Sequence, residues 1–212
     1  MSEKLINDAT DSIVGIIYQF YGALDYCNNL VSGEKLWIEK LGDITISNTV
    51  QIEIKHFSND LTDLHENIWK TLHNWLNYSF NVSDYKQLIL LTTQNFSNRS
   101  TLREWNKKNA DEKLNLLKDI QGKYQKREKK DESKEKLVVE VMNNNNRTEL
   151  KMILEKFIIL DSSSKGYDYY SDLKDKYAGH IPISCRDNYI NSLLGFIVMP
   201  TKEDTLEWEI TY

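Results

Sequence analysis

Residues 50–57 read Val-Gln-Ile-Glu-Ile-Lys-His-Phe, and an aspartate stands ten positions before the glutamate, in Gly42-Asp43-Ile44. On a strand, Glu53 and Lys55 project to the same face. Two carboxylates can hold a divalent cation through hard oxygen ligands. A lysine beside them can stabilise the negative charge that develops on a phosphate. Asp43, Glu53 and Lys55 therefore have the composition of a metal-dependent phosphodiesterase site.

A three-residue loop at Ser47-Asn48-Thr49 predicts a hairpin that would carry this site. Antiparallel pairing then sets Ile46 opposite Val50, Thr45 opposite Gln51, Ile44 opposite Ile52 and Asp43 opposite Glu53. Opposed residues share a face. One face becomes Ile44, Ile46, Val50, Ile52 and Ile54; the other becomes Asp43, Thr45, Gln51, Glu53 and Lys55. Clean separation of polar from apolar positions supports the register. Two carboxylates placed side by side repel, and a metal between them would remove the conflict. Mg²⁺ keeps several waters, so Asp43, Glu53 and one backbone carbonyl, with Ile54 the candidate, suffice as protein ligands. The ordinary alternative is a solvated polar face on which Lys55 pairs with Glu53 or Asp43 as a plain salt bridge.

The rest of the chain must position these residues. Ile13, Ile16, Ile17, Phe20, Leu24 and Cys27 recur at helical spacing, which predicts a helix over 11–31 ended by Ser32-Gly33. Short strands are expected at 36–39, 42–46 and 50–57. A helix follows over 61–78, with Asp60 or Thr62 as its cap. Leu88-Ile89-Leu90-Leu91 is a continuous apolar run of the kind found in a buried central strand. Helices are predicted at 100–106 and 111–121, and the charged stretch 123–136 reads as an exposed helix end or a linker. Further on, 148–157, 167–177 and 184–198 read as helices and 157–160 as a strand. The fold class is α+β, with a small mixed sheet flanked by helices. The expected division is a core over 1–106 and a mainly helical extension over 107–212. The alternation at 207–212 looks like a cut before another module.

The sequence has 212 residues, 40% of them hydrophobic, which is enough for a buried core. Its two cysteines lack disulfide or zinc-ligand spacing, and a reducing cytoplasm is the simplest compartment. No apolar run approaches a membrane span. A net charge of −5 is not that of a protein that coats nucleic acid, although a local cationic cleft can coexist with it. No phosphate-binding loop, HExxH or GxSxG motif is present. His56 is expected to pack on the opposite strand face from Lys55. Trp69 and Trp75 read as core residues, and Glu39 as either an accessory acid or a strand-end charge.

Asp43 followed by Glu53-Ile-Lys55 resembles the PD-(D/E)xK pattern of the restriction-endonuclease-like superfamily. More specifically, the chain resembles the Cap4-like double-stranded DNA endonuclease domains of bacterial anti-phage defence systems. The stretches that carry the resemblance are Gly15-Ile-Ile-Tyr18-Gln19, Ile38-Glu39 with Gly42-Asp43-Ile44, Gln51 to His56, Leu61-Thr62-Asp63 with Glu66 to Leu72, and Leu90 to Gln94. It covers about residues 11–106, and Gly42 replaces the proline of the motif. The resemblance implies that Asp43 and Glu53 are metal ligands, that Lys55 is the catalytic lysine, and that Gln19 is an accessory active-site residue. The implied cofactor is Mg²⁺, with Mn²⁺ as a substitute. The implied partners are DNA, a second copy of the chain in a dimer or higher assembly, and an attached or separate sensor module. No membrane partner is implied. A nuclease-fold module without catalysis, and an RNase using the same residues, are the alternatives.

Overall fold

The computed structural model describes residues 10–199 and 208–211. In chain order the elements are α1 (Thr10–Cys27), β1 (Lys35–Ile38), β2 (Ile44–Ile46), β3 (Val50–Lys55), α2 (Glu66–Trp75), β4 (Gln87–Thr92), α3 (Ala110–Gln125), α4 (Glu132–Val141), α5 (Arg147–Lys156), β5 (Phe157–Leu160), α6 (Gly166–Tyr177), α7 (Arg186–Val198) and β6 (Trp208–Thr211). The six strands form one mixed sheet in the order β5-β4-β3-β2-β1-β6. The protein is thus α+β, with helices flanking a mixed sheet. Among the described residues no helix is long and apolar enough to cross a membrane.

The chain divides into two compact units, and not at residue 106. The first comprises Met1–Ile46, Ile54–His56 and Ser163–Tyr212; the second comprises Ser47–Glu53 and Phe57–Ser162. Residues 107–212 contribute two strands to the sheet, β5 and β6. The 207–212 alternation, expected to mark a cut, contains β6, which pairs antiparallel with β1. There Glu209 accepts from Trp37 Nε1 at 2.8 Å and pairs with Lys35 at 2.9 Å.

In the first unit α1 packs on the sheet through Tyr18, Ala23 and Leu24, all buried. Gly22 permits the close approach. A Cβ there would meet Ile54 Cδ1 at 2.7 Å and Ile44 Cδ1 at 3.2 Å. The expected stripe is only partly the buried side, since Ile13, Ile16 and Ile17 are exposed. This helix is apolar around much of its circumference, so periodicity alone does not select the inward face. Asp25, near the end of α1, ties in α6. It accepts from Tyr177 Oη at 2.5 Å and from Lys176 Nζ at 2.8 Å.

The second unit is built on an aromatic and aliphatic core. Trp69, Trp75, Trp105, Leu72, Leu88, Leu90 and Phe157 are all at most 1% exposed. β4 and β5 pair in parallel, with Leu88 opposite Phe157 and Leu91 opposite Leu160. Lys113 is buried in this core, with no carboxylate paired to it among the described residues. Its Nζ donates to the carbonyls of Leu154 at 3.0 Å and Phe157 at 2.7 Å, which α5 leaves open at its C-terminal end. Burial pushes its pKa down to about 8.

α2 is shorter than the predicted 61–78. Leu61 instead forms an isolated bridge with Phe96, and the cap is His65, whose Nδ1 accepts from Asn67 N at 3.3 Å. The 123–136 stretch is the end of α3 and the start of α4. Asp131 caps α4 through the backbone N–H groups of Ser133 and Lys134.

Candidate functional site

β2 and β3 supply most of the residues singled out by the sequence. The apolar positions Ile44, Ile46, Ile52 and Ile54 are buried, as a hairpin with one core face requires. The polar positions Thr45, Gln51 and Glu53 are buried as deeply, at 0%, 0% and 4% exposure, so this is not a solvated polar face. In the second unit Gln51 Oε1 accepts from Trp75 Nε1 at 2.6 Å, whereas Gln51 Nε2 and Thr71 Oγ1 are buried without a hydrogen-bond partner among the described residues. Glu53 precedes Lys55 by two residues on the same strand, and the pleat gives them one face.

In the first unit Asp43 is the organising carboxylate. Its Oδ2 accepts from the Ile54 backbone N–H at 2.6 Å and from Lys55 Nζ at 3.2 Å. Both side chains are mostly buried, with Lys55 21% and Asp43 14% exposed. The Asp43–Lys55 contact occurs equally in an ordinary salt bridge, so it does not by itself decide between the readings. What surrounds it is more informative. Glu39 feels the charges of both Asp43 and Lys55, and its carboxylate is hydrogen-bonded by Gln19. Its pKa is raised, first by burial and then by the Asp43 charge, while Gln19 and Lys55 act in the opposite direction. Gln19 on α1 therefore reaches the same cluster as Asp43 and Lys55, and it does so through Glu39.

The turn that holds these acids is strained. Glu39 has φ 57, in the left-handed region that costs a residue with a Cβ about 1–2 kcal/mol. Its N–H donates to the Asp43 carbonyl at 3.2 Å, closing the turn. Gly42 has φ 135. Proline is locked near −65°, so the backbone here cannot accept the residue that names the motif. The departure at position 42 follows from the shape of this turn. Sequence reasoning left Glu39 undecided between an accessory acid and a surface charge. The signals for it were the glycine three residues later and the short spacing to Asp43.

The His56 ring packs on Tyr18, with ring centroids 5.2 Å apart. Tyr18 Oη in turn donates to the Ser164 carbonyl at 2.9 Å. Trp69 and Trp75 are core residues, each 1% exposed. Lys70 is paired with Glu66 at 2.8 Å, one helical turn away.

Among the described residues there is no group of three or more His, Cys, Asp or Glu side chains placed to hold a metal. The donors in the first unit's cluster are two carboxylates, one amide and backbone carbonyls. That set is all oxygen on the acceptor side and suits a hard cation such as Mg²⁺ better than zinc, which favours nitrogen and sulfur. Compared with protein-family models, curated proteins and solved structures, the chain matches none.

Proposed function

We propose that the chain is a divalent-metal-dependent DNA endonuclease of the PD-(D/E)xK kind, with a restriction-endonuclease-like core. The observation that carries the reading is the Asp43 carboxylate held between the Ile54 N–H and Lys55, beside the strained acid Glu39. A carboxylate pair that raises the pKa of one member is a common mark of a functional site. Strain in the backbone of a polar residue points the same way.

Asp43, Glu53 and the Ile54 carbonyl would hold Mg²⁺, or Mn²⁺ in its place. Within a strand the N–H and carbonyl of one residue leave toward the same neighbour, so the Ile54 carbonyl is directed to the side where Asp43 receives its N–H. When bound, the cation supplies Lewis-acid polarisation of the phosphate and a water of lowered pKa. Lys55 offsets negative charge on the phosphate oxygens as water bonds to phosphorus and the P–O bond to the departing strand breaks. Asp43 orients the Lys55 ammonium, and Gln19 orients Glu39. Cutting both strands with one site per chain calls for two copies working together. On the resemblance, the setting is bacterial anti-phage defence, with a sensor module controlling the site.

The test is cleavage of supercoiled plasmid with Mg²⁺, with and without chelator. Lys55→Ala and Glu53→Ala should each lower the rate about 100-fold or more, the scale of losing one charge-stabilising group. Chelator should abolish cleavage of the wild-type chain. Unchanged cleavage in either variant sinks the assignment at that residue. Cleavage of RNA with sparing of duplex DNA would replace the substrate.

A further inference from the structure

The second unit contains a recess of about 540 Å³ that none of the proposed nuclease residues lines. Its floor includes Ile120 and Tyr124 of α3. Four cations converge on it, Arg99, Lys123, Arg127 and Lys134, against two acids, Asp63 and Glu66. Both acids are hydrogen-bonded, Asp63 by neutral donors that leave its charge in place and Glu66 by a lysine. Asp63 accepts from Ser100 Oγ at 2.8 Å, Thr101 N at 2.7 Å and Thr101 Oγ1 at 2.9 Å. Glu66 is paired with Lys70 at 2.8 Å.

Among the described residues none of the four cations makes a direct ion pair with a carboxylate, although Lys134 feels the charges of Glu66 and Asp131. Arg127 has its guanidinium over the Tyr124 ring, 5.6 Å from the centroid, which offers no negative charge. The ten-residue α2 also begins at this recess, with His65 and Glu66 in its lining, so the positive end of its dipole adds to the same field. In a chain of net charge −5, four cations against two acids, one of them already paired with Lys70, leave this concavity locally positive.

We infer that this recess is a binding site for a small phosphate-bearing ligand. Arginine and lysine together suit phosphate, the first as a planar fork and the second as a point charge. The volume lies in the range of about 300–1,000 Å³ usual for small-molecule sites. A duplex backbone follows an open surface or groove, whereas these cations are gathered around a single recess. The inference rests on the second unit alone and not on the nuclease reading.

The experiment is calorimetric titration of the full chain with pyrophosphate, and separately with metal-free ATP, at fixed salt. The variants are Lys123→Ala and Arg127→Ala, both exposed residues. Lys118→Ala, exposed on α3 and outside the recess, is the control. Pyrophosphate or ATP should bind the wild type, and each recess variant should weaken that binding about tenfold or more, with the control unchanged. Tighter binding of ATP assigns the ligand to the nucleotides; equal binding assigns it to inorganic phosphates. The site is overturned if neither probe binds. It is equally overturned if all three variants bind alike, or if Lys123 and Arg127 prove necessary for binding a 20-base-pair duplex while neither small probe binds.

Discussion

The two units stabilise themselves by different means. In the first, ionisable groups are largely satisfied by one another. Asp25 gathers Tyr177 and Lys176, Asp43 holds Lys55, and Glu39 takes Gln19. In the second, stability comes from packed tryptophans and aliphatics; Lys113 is buried on backbone carbonyls, ion pairs such as Lys70–Glu66 and Lys151–Asp111 lie at the surface, and further cations line a recess. A polar network fixes geometry through many modest interactions, each worth about 1–3 kcal/mol where a charge takes part. An apolar core supplies larger increments per residue and tolerates spare charge on its surface. Chemistry placed in the first unit therefore sits among groups held by direct hydrogen bonds.

This contrast can be broken by substitution. Trp105→Ala should cost the most, about 3–5 kcal/mol in chemical denaturation, because it removes a fully buried ring packed on Phe157. A loss below 1 kcal/mol would remove the claim that the aromatic core dominates the second unit. Asp25→Ala should cost about 2 kcal/mol by removing the carboxylate that Tyr177 and Lys176 share, leaving Tyr177 only the backbone carbonyl of residue 25 at 3.1 Å. Hydrogen exchange sharpens the comparison here. Amides of α1 and α6 should exchange faster while those of α5 and β5 hold. If all four accelerate together, the units do not open independently.

The smallest effect is a pH dependence that belongs to the second unit. Lys113 has a folded pKa of about 8 against an ordinary 10.5. The unfolded chain therefore binds that proton more tightly, and stability rises with pH across this window. Between pH 8 and 9.5 the gain should be about 1.5 kcal/mol. The raised tyrosines of the first unit act with the opposite sign. Tyr18 and Tyr26, pushed up to about 12 by burial, contribute stability that is intact below pH 10 and lost above it. Lys113→Met should flatten the slope below pH 10 and leave the fall above it. A slope that survives the substitution belongs to another group.

Parts of this architecture are legible in the residues. β4 and β5 appear with the expected boundaries because Leu88 to Leu91 and Phe157 to Leu160 are continuous apolar runs, a pattern that few other elements share. α4 was obscured because its first turns are dense in charge and its buried anchors, Val138 and Val141, come late. α2 starts later than its apolar pattern suggests because Leu61 is taken by a bridge to Phe96. At the candidate site, the residue types and the strand spacing of Glu53 and Lys55 are visible in sequence. The depth of burial of Thr45, Gln51 and Glu53 is not, because alternation reports two faces and says nothing of what covers them. Nor does alternation reveal the left-handed Glu39, which depends on how tightly the chain must turn before Asp43.

That turn has an evolutionary consequence. A glycine at position 39 would relieve the backbone, so selection for stability alone would remove this carboxylate. On the proposed nuclease reading, its presence marks a position where folding and chemistry pull in opposite directions. Directed evolution for thermal tolerance, run without a demand for activity, should therefore find Glu39 among the first residues it gives up.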